Sequence, residues 1–547
     1  MIRGTTITPQ ELQERALAEV SAAVAASDMR RAFVLATTAL DRGMRHPYLY
    51  NARGLWLQQT SRYEEALDEF RRALSTMPGN ATLLNAMGLC YLKLDRNREA
   101  VQAFRQAVAA GPDLALTHYR LGLALAQAGD HDGAQEAHGR AIELDANLAE
   151  AHASLASILA RKGQPERARV LAERALALKP QDGTARVALA LIEMGAKNFS
   201  GAEALLRALA EDGSLTSQQR ASVLGLLGDA LDGQKRYGEA FETYLRENEE
   251  LRREHAKRFE GHAATAARNL IAYFEQSDPK RWTAPDEGLA MPDGPAEHIF
   301  LLGFMRSGTT LLEQVLASNE RIIALEEMGL LNGLGDRYMT SVPALDALAD
   351  LNGAELEQHR RTYWDRVRQT GIEIKGKVFV DKQPLNTVKL PIIAKLFPQA
   401  KILFALRDPR DVVFSCFRRH FKVNLTMFEF LDLEEAARFY ALVMRLAEIY
   451  REKLQLTLLE HRYERMVEDF EGSVRAVCEF IGVEWSDSMR DFNRYAPAVD
   501  LRSPSATQVR KPLYNEALAQ WRRYQDRLAP ILPVLQPWAE KFGYPPV

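Results

Sequence analysis

Residues 298–319 read HIFLLGFMRSGTTLLEQVLASN. His298–Gly303 is a short apolar run suited to a strand buried in a parallel sheet. An apolar-periodic helix begins at about Thr309. Strand, glycine-bearing loop and helix, in that order, aim free backbone N–H groups and a helix N-terminus at an anion. Gly303 and Gly308 have the spacing with which a Walker loop begins. Such a loop continues with Lys and then Ser or Thr; here Thr309 and Thr310 follow, and Arg306 stands inside the loop. The missing lysine argues against ATP or GTP hydrolysis and for a different phosphate-bearing ligand.

Working outward, Lys401–Leu406 (KILFAL) is a second apolar strand that runs into RDPRDVVFSCFRR. Arg407 falls at its C-terminal end, and the following helix is expected to carry Ser415 and Arg419 on one face at i, i+4. An arginine at a strand end with a serine and an arginine beyond it can hold a second phosphate by charge-assisted hydrogen bonds. The second half therefore reads as a P-loop-like α/β domain with a parallel sheet, over residues 296–547.

The first half repeats itself. Gly54, Gly88 and Gly122 are spaced by 34, and Ala156 and Ala190 continue the series. Twelve residues after each stands an alanine: Ala66, Ala100, Ala134, Ala168 and Ala202. Four further on the early copies carry a larger residue (Phe70, Phe104, His138), and Pro78, Pro112 and Pro180 close three copies. Gly228, Ala240 and Tyr244 repeat the signature after an insertion of four residues, and a degenerate copy is expected before residue 47. This pattern resembles the tetratricopeptide repeat, an α-α superhelix, over residues 1–250. Small residues let paired helices approach closely, the large residue is expected to fill the groove of the next repeat, and the proline blocks continuation of the second helix. The signature positions pack helices; by analogy with such arrays, this one binds a partner or positions a substrate. Residues 249–277 read as one more helix, and the prolines between 279 and 295 as a linker, so a helical linker is assigned to 251–295.

Composition closes off other classes. Hydrophobic residues at 47% and charged residues at 26% are those of a folded globular chain. Lys+Arg number 70 against 73 Asp+Glu, a formal charge of -3, so no general attraction to nucleic acid or anionic membrane is expected. Any anion site is a local arrangement. Cys90, Cys416 and Cys478 lie far apart without metal spacing, which fits a reducing compartment without disulfides. Neither a signal peptide nor an 18-residue apolar run is evident, so a cytoplasmic location without a membrane span is expected.

Taken together, the second-half motifs resemble the sulfotransferases that use 3′-phosphoadenosine-5′-phosphosulfate (PAPS), most closely the tyrosylprotein branch. RSGTT resembles the 5′-phosphosulfate loop and RDPRDVVFS the 3′-phosphate segment; LEEMGLL, VDKQPLN and SATQVRKPLYNEALAQW add to the likeness. The resemblance implies that Ser307, Gly308, Thr309 and Thr310 wrap the 5′-phosphate, with Arg306 at the transferring group. It implies Glu327 as general base, with Glu326 the alternative if the register slips by one, and Lys382 and Ser505 at the transferring and leaving oxygens. Arg407, Ser415 and Arg419 are implied as 3′-phosphate ligands, and Tyr463 in RYERMVEDF as a nucleotide contact. Two positions depart from the family: Met305 stands where proline is frequent, and Gln520 where a lysine is expected, with Lys511 as a substitute for that charge. His420 is an alternative base, since other sulfotransferase branches use histidine.

The chemistry implied is transfer of a sulfuryl group from PAPS to an acceptor hydroxyl, leaving adenosine 3′,5′-bisphosphate, without a metal. The acceptor is a peptide tyrosine on a protein, or a carbohydrate or small-molecule hydroxyl, held by the repeat array or by a partner. Oligomeric state stays open. Two other readings of the same residues are a P-loop kinase-like phosphotransferase and a non-catalytic repeat scaffold.

Overall fold

A computed structural model describes residues 8–283, 294–495 and 518–546. By contacts the chain divides into two compact units, residues 1–209 and 210–547.

The first unit is an array of helix pairs. The pairs are Pro9–Ala25 with Met29–Asp41, Pro47–Gln59 with Tyr63–Thr76, Ala81–Lys93 with Asn97–Ala110, Ala115–Gln127 with His131–Leu144, Ala149–Arg161 with Pro165–Leu178, and Gly183–Gly195 with Phe199–Ala210. The expected degenerate copy is the first of these. The backbone keeps the phase of the repeat even where side chains lose it. Between the two helices of every pair one residue turns left-handed: Ser27, Ser61, Asp95, Gly129, Gly163 and Lys197, each 34 after the last, with φ between +58° and +85°. Lys235 follows after 38, which locates the four-residue insertion.

The signature glycines are needed for space. A Cβ on Gly54 would lie 2.4 Å from the ring of Phe70, on Gly88 2.6 Å from Phe104, and on Gly122 2.5 Å from His138. The large residue therefore fills the gap over the glycine of its own repeat, and Phe70 shares a core cluster with Leu83, Ala86 and Met87 of the next one, as expected from sequence. Where the glycine becomes an alanine, the partner shrinks: Ala156 answers to Ala172, and Ala190 to Leu206, all fully buried. His138 occupies the phenylalanine position and is 1% exposed; burial pushes its pKa down to about 4, so it packs as a neutral ring.

The second unit opens with the last repeat-like hairpin, Ser217–Gly233 and Tyr237–Phe259. The second of these helices runs straight through residue 249, where a new helix was expected. The break comes at Gly261, with φ +70°, and His262–Gln276 follows. Phe274 of that helix lies against Trp282 and Tyr450, with ring centroids 4.7 and 4.9 Å apart.

The core of this unit is a five-stranded sheet, β1 (Glu297–Gly303), β2 (Ile322–Glu326), β3 (Val378–Lys382), β4 (Lys401–Leu406) and β5 (Thr457–Arg462). All neighbours are parallel, in the order β2-β3-β1-β4-β5. The register pairs Glu326 with Lys382, Leu301 with Lys382, Gly303 with Ala405, and Leu406 with Arg462. The carboxyl ends of all five strands thus form one row. The order reverses at β1, the topological switch point where open parallel sheets bind ligands. The three cysteines are buried and unpaired. Among the described residues no helix is long and apolar enough to cross a membrane.

Candidate active site

The residues singled out by motif stand along that row. β1 ends at Gly303, whose backbone (φ +149°) passes so close to β4 that a Cβ would lie 2.5 Å from the Ala405 carbonyl oxygen. The loop then turns left-handed at Arg306 (φ +66°) and at Gly308 (φ +90°), and helix Thr309–Ala317 begins. A positive φ at a residue with a side chain costs about 1–3 kcal/mol and persists where its surroundings hold it. What holds Arg306 is visible. Its Nε donates to Ser415 Oγ at 3.0 Å, and its carbonyl accepts from Arg407 Nη1 at 3.2 Å. The two segments expected to bind two phosphates are therefore bonded to each other. Burial, with Arg419, Arg407 and Arg418 nearby, pushes the Arg306 guanidinium below the usual arginine range.

β5 delivers Tyr463 into the same corner. Its ring lies under Arg407, 4.9 Å from guanidinium carbon to centroid. It also fills the space over Gly308, where a Cβ would sit 2.5 Å from Tyr463 Cδ2. Ser307, Thr309, Thr310, Arg407 and Ser415 are all buried.

On the other side of β1, β2 and β3 deliver a charge cluster. The ammonium of Lys382, with its side chain 0% exposed, lies 2.8 Å from Glu327 Oε1, 3.2 Å from Glu313 Oε2 and 3.4 Å from Glu326 Oε1. Burial alone would drive the ammonium toward neutrality; the three carboxylates outweigh it and hold its pKa above the ordinary lysine value. Glu327 donates its N–H to the Lys382 carbonyl at 2.9 Å, extending the ladder by one residue. It then turns left-handed (φ +35°) and leaves the sheet. Of the three carboxylates its side chain is the most exposed, at 32% against 12% for Glu326 and 3% for Glu313. The turn after Lys382 is tied to the phosphate loop through Thr387 Oγ1, which donates to the Gly303 carbonyl at 2.8 Å.

One expectation changes. Helix Pro409–Phe417 ends before Arg419, which stands in the bend beyond it and not on a face with Ser415. Its Nη1 is 3.6 Å from Asp229 of the repeat-like hairpin. His420 faces that hairpin as well: Nδ1 is 2.9 Å from Glu247 Oε1, and Nε2 lies near Gln218 and Ser222. Both ring nitrogens are thereby engaged by the hairpin. Gln520, at the position of the family lysine, accepts a hydrogen bond from Arg418. Ser505 and Lys511 lie outside the described residues. Sequence reading missed Glu313 and the acidic side chains Asp229, Asp232 and Glu247 that meet Arg418, Arg419 and His420.

The arrangement offers a loop and helix N-terminus for one anionic group and an arginine–serine pair for a second. An exposed carboxylate beside a buried ammonium is placed to handle a proton. A model of the sulfotransferase family matches residues 298–487. Tetratricopeptide repeat models match residues 46–113, 85–149, 119–183 and 159–221. An uncharacterized protein of Aquifex aeolicus is 26% identical over 353 residues, covering 63% of this chain and 45% of that protein, so the match spans less than half of that relative. Protein-tyrosine sulfotransferase A of Caenorhabditis elegans is 22% identical over 317 residues, covering 53% of this chain and 77% of that one. The omega-hydroxy-beta-dihydromenaquinone-9 sulfotransferase of Mycobacterium bovis is 24% identical over 308 residues, covering 45% and 75%.

Proposed function

This chain is a tetratricopeptide-repeat member of the sulfotransferases, and we propose that it transfers a sulfuryl group from PAPS to a peptide tyrosine hydroxyl on a protein bound by its repeats. The observation that carries the reading is the bonding of Arg306 to Ser415 and Arg407, which joins two anion-binding segments at the ends of β1 and β4. A ligand with phosphates at two ends of one nucleoside suits such a pair. The acceptor class rests on the likeness to tyrosylprotein sulfotransferases.

In this reading Ser307–Thr310 hold the 5′-phosphosulfate and Arg407, Ser415 and Arg419 the 3′-phosphate, with Tyr463 against the nucleotide. Glu327 takes the proton from the acceptor hydroxyl, whose oxygen bonds to sulfur. The bond from sulfur to the 5′-phosphate oxygen breaks, and its electrons stay on that oxygen, next to Arg306 and Lys382. Sulfuryl transfer resembles phosphoryl transfer in asking the protein for alignment and charge stabilisation above all. A general base contributes about 10²–10⁴-fold.

Titration with adenosine 3′,5′-bisphosphate and with AMP tests the nucleotide assignment, and the bisphosphate is expected to bind far more tightly. Equal affinities would refute it. Glu327→Ala is expected to abolish transfer from labelled PAPS while leaving bisphosphate affinity within a few-fold of wild type.

A further inference from the structure

Glu313 stands on the second turn of the phosphate-loop helix, four residues after Thr309 and three after Thr310. Its neighbours Leu312, Val315 and Leu316 are core residues, and Glu313 itself is 2% exposed. A carboxylate on such a face is costly unless it is paired or neutralised. Its Oε2 meets Lys382 Nζ at 3.2 Å as an ion pair without good hydrogen-bond alignment.

The charges that act on Glu313 are Lys382 from β3 and Glu326 and Glu327 from the end of β2. Arg494, on the short helix Phe492–Tyr495 packed nearby, is exposed and paired with Asp491. Where Glu313 is ionised, one ammonium faces three carboxylates and the cluster carries a net charge of -2. A nucleotide with phosphates at both ends adds anions at the N-terminus of the same helix. In the reading above, which this inference rests on, it also draws Lys382 toward the leaving phosphate. Three carboxylates would then share less of their one cation while facing a polyanion. Of the three, Glu313 is the most buried, so it gains most from losing its charge.

We propose that Glu313 takes up a proton from solvent when the nucleotide binds, so that the carboxylates around Lys382 do not repel the donor. Glu313 is thus a positioning residue: neutral, it lets Lys382 turn to the donor while Glu327, nearer the solvent, keeps its charge for the acceptor proton. Burial already pushes the Glu313 carboxyl up to about 8 against the pull of Lys382, which sets the pH range of the test.

Calorimetric titration of the full chain with adenosine 3′,5′-bisphosphate, in buffer pairs of different ionisation enthalpy, counts protons directly. Wild type is expected to take up a fraction of a proton at pH 7, rising toward about one at pH 9.5. Affinity is expected to weaken roughly tenfold between pH 8 and 9.5 as that uptake becomes costly. Glu313→Gln, neutral and nearly isosteric, is expected to lose the uptake, to hold its affinity within about twofold over that range, and to bind more tightly than wild type at pH 9.5. Wild-type binding without proton uptake, or uptake undiminished in Glu313→Gln, overturns the role of Glu313 and leaves the nucleotide reading intact. No saturable binding at any pH overturns both. Should Glu313→Gln fail to fold, infrared difference spectra of the wild type carrying labelled glutamate decide the matter. At pH 9.5 nucleotide binding is expected to raise a protonated-carboxyl band, and an unchanged spectrum there overturns the inference.

Discussion

Gly308→Ala tests the corner where the phosphate loop, Tyr463 and Arg407 meet. Two costs add. The backbone at residue 308 has φ +90°, which costs a residue with a Cβ about 1–2 kcal/mol. The new methyl also lands 2.5 Å from Tyr463 Cδ2, with Cγ at 3.2 Å and Cβ at 3.3 Å. The contact reaches back to Tyr463 Cβ, so rotation of the ring alone does not relieve it, and overpacking of this kind costs about 1–3 kcal/mol. The sum is about 2–5 kcal/mol. For a unit as large as residues 210–547, each kcal/mol lowers the melting temperature by roughly 2 °C, so a fall of about 4–10 °C is expected in the transition of that unit. Tyr463 carries Arg407 on its face, and Arg407 holds the Arg306 carbonyl. Displacing the ring therefore spreads the two anion-binding segments, and bisphosphate affinity is expected to fall about tenfold or more. The double variant Gly308→Ala with Tyr463→Ala removes the contacts with Cδ2 and Cγ and leaves the one with Cβ and the backbone cost. Its stability loss is expected to be smaller than the sum of the single losses by about 1–3 kcal/mol, the coupling of residues in contact. Calorimetric melting and nucleotide titration read both effects. A single variant that melts within 1 °C of wild type and binds equally well refutes the geometry, and so does a double variant whose losses simply add.

The buried His138 has a folded pKa below its unfolded one, so stability is intact above pH ~6.5 and is lost as pH falls toward 4. The loss is about 2–3 kcal/mol at pH 4.5 by urea unfolding. His138→Phe, the residue of the sister repeats, is expected to abolish that acid sensitivity, and an unchanged loss would count against the packing described. Lys382→Met leaves Glu313 buried without its cation and is expected to cost about 3–5 kcal/mol at pH 8. Without the cation the folded Glu313 carboxyl rises further above its unfolded value, so this deficit shrinks as pH falls toward 5, and a deficit equal at both pH values contradicts the cluster. His420→Ala is expected to keep transfer within a few-fold of wild type while costing about 1–3 kcal/mol, since Glu247 loses its partner in a buried setting; a hundredfold loss of transfer at unchanged nucleotide affinity would assign the base to His420.

The repeat was legible because its cause is local. Gly54, Gly88 and Gly122 recur at the one place where two helices of a pair come closest, and the larger residue sixteen positions on fills what the missing side chain leaves open. A spacing of sixteen fixes a position on the second helix, and only the structure adds that this side chain covers the glycine of its own pair as well. The grouping of the last hairpin was hidden for a related reason. Gly228 and Tyr244 record how Ser217–Gly233 and Tyr237–Phe259 pack on each other, with a Cβ at 228 only 2.4 Å from the tyrosine ring. They say nothing of the outer face, where Asp229, Asp232, Glu247 and Asn248 meet Arg419, Arg418, His420 and the Phe417 carbonyl. Those contacts join the hairpin to the rest of its own unit, and no periodicity announces them.

The site was legible where a strand end carries a motif. Lys382 closes its strand, Arg306, Glu327, Arg407 and Tyr463 each follow one, and the parallel order of the sheet brings all five ends to one edge without any further information. Glu313 was passed over because a glutamate in a helix ordinarily reads as a solvated surface charge. Its clue lies in TTLLEQVLA, where it follows Thr309 by one helical turn and stands among the core residues Leu312, Val315 and Leu316. A charge at such a position has to be answered from another element, and Lys382, in a fully buried strand, is the answer. Lys382 stands by three glutamates, Arg407 by Asp411, Arg418 by Asp232 and Arg419 by Asp229. Positive charge enough to hold a polyanion is thus stored against internal carboxylates. An anionic ligand that enters has to displace or neutralise those carboxylates, and proton uptake on binding measures how much of that exchange Glu313 carries.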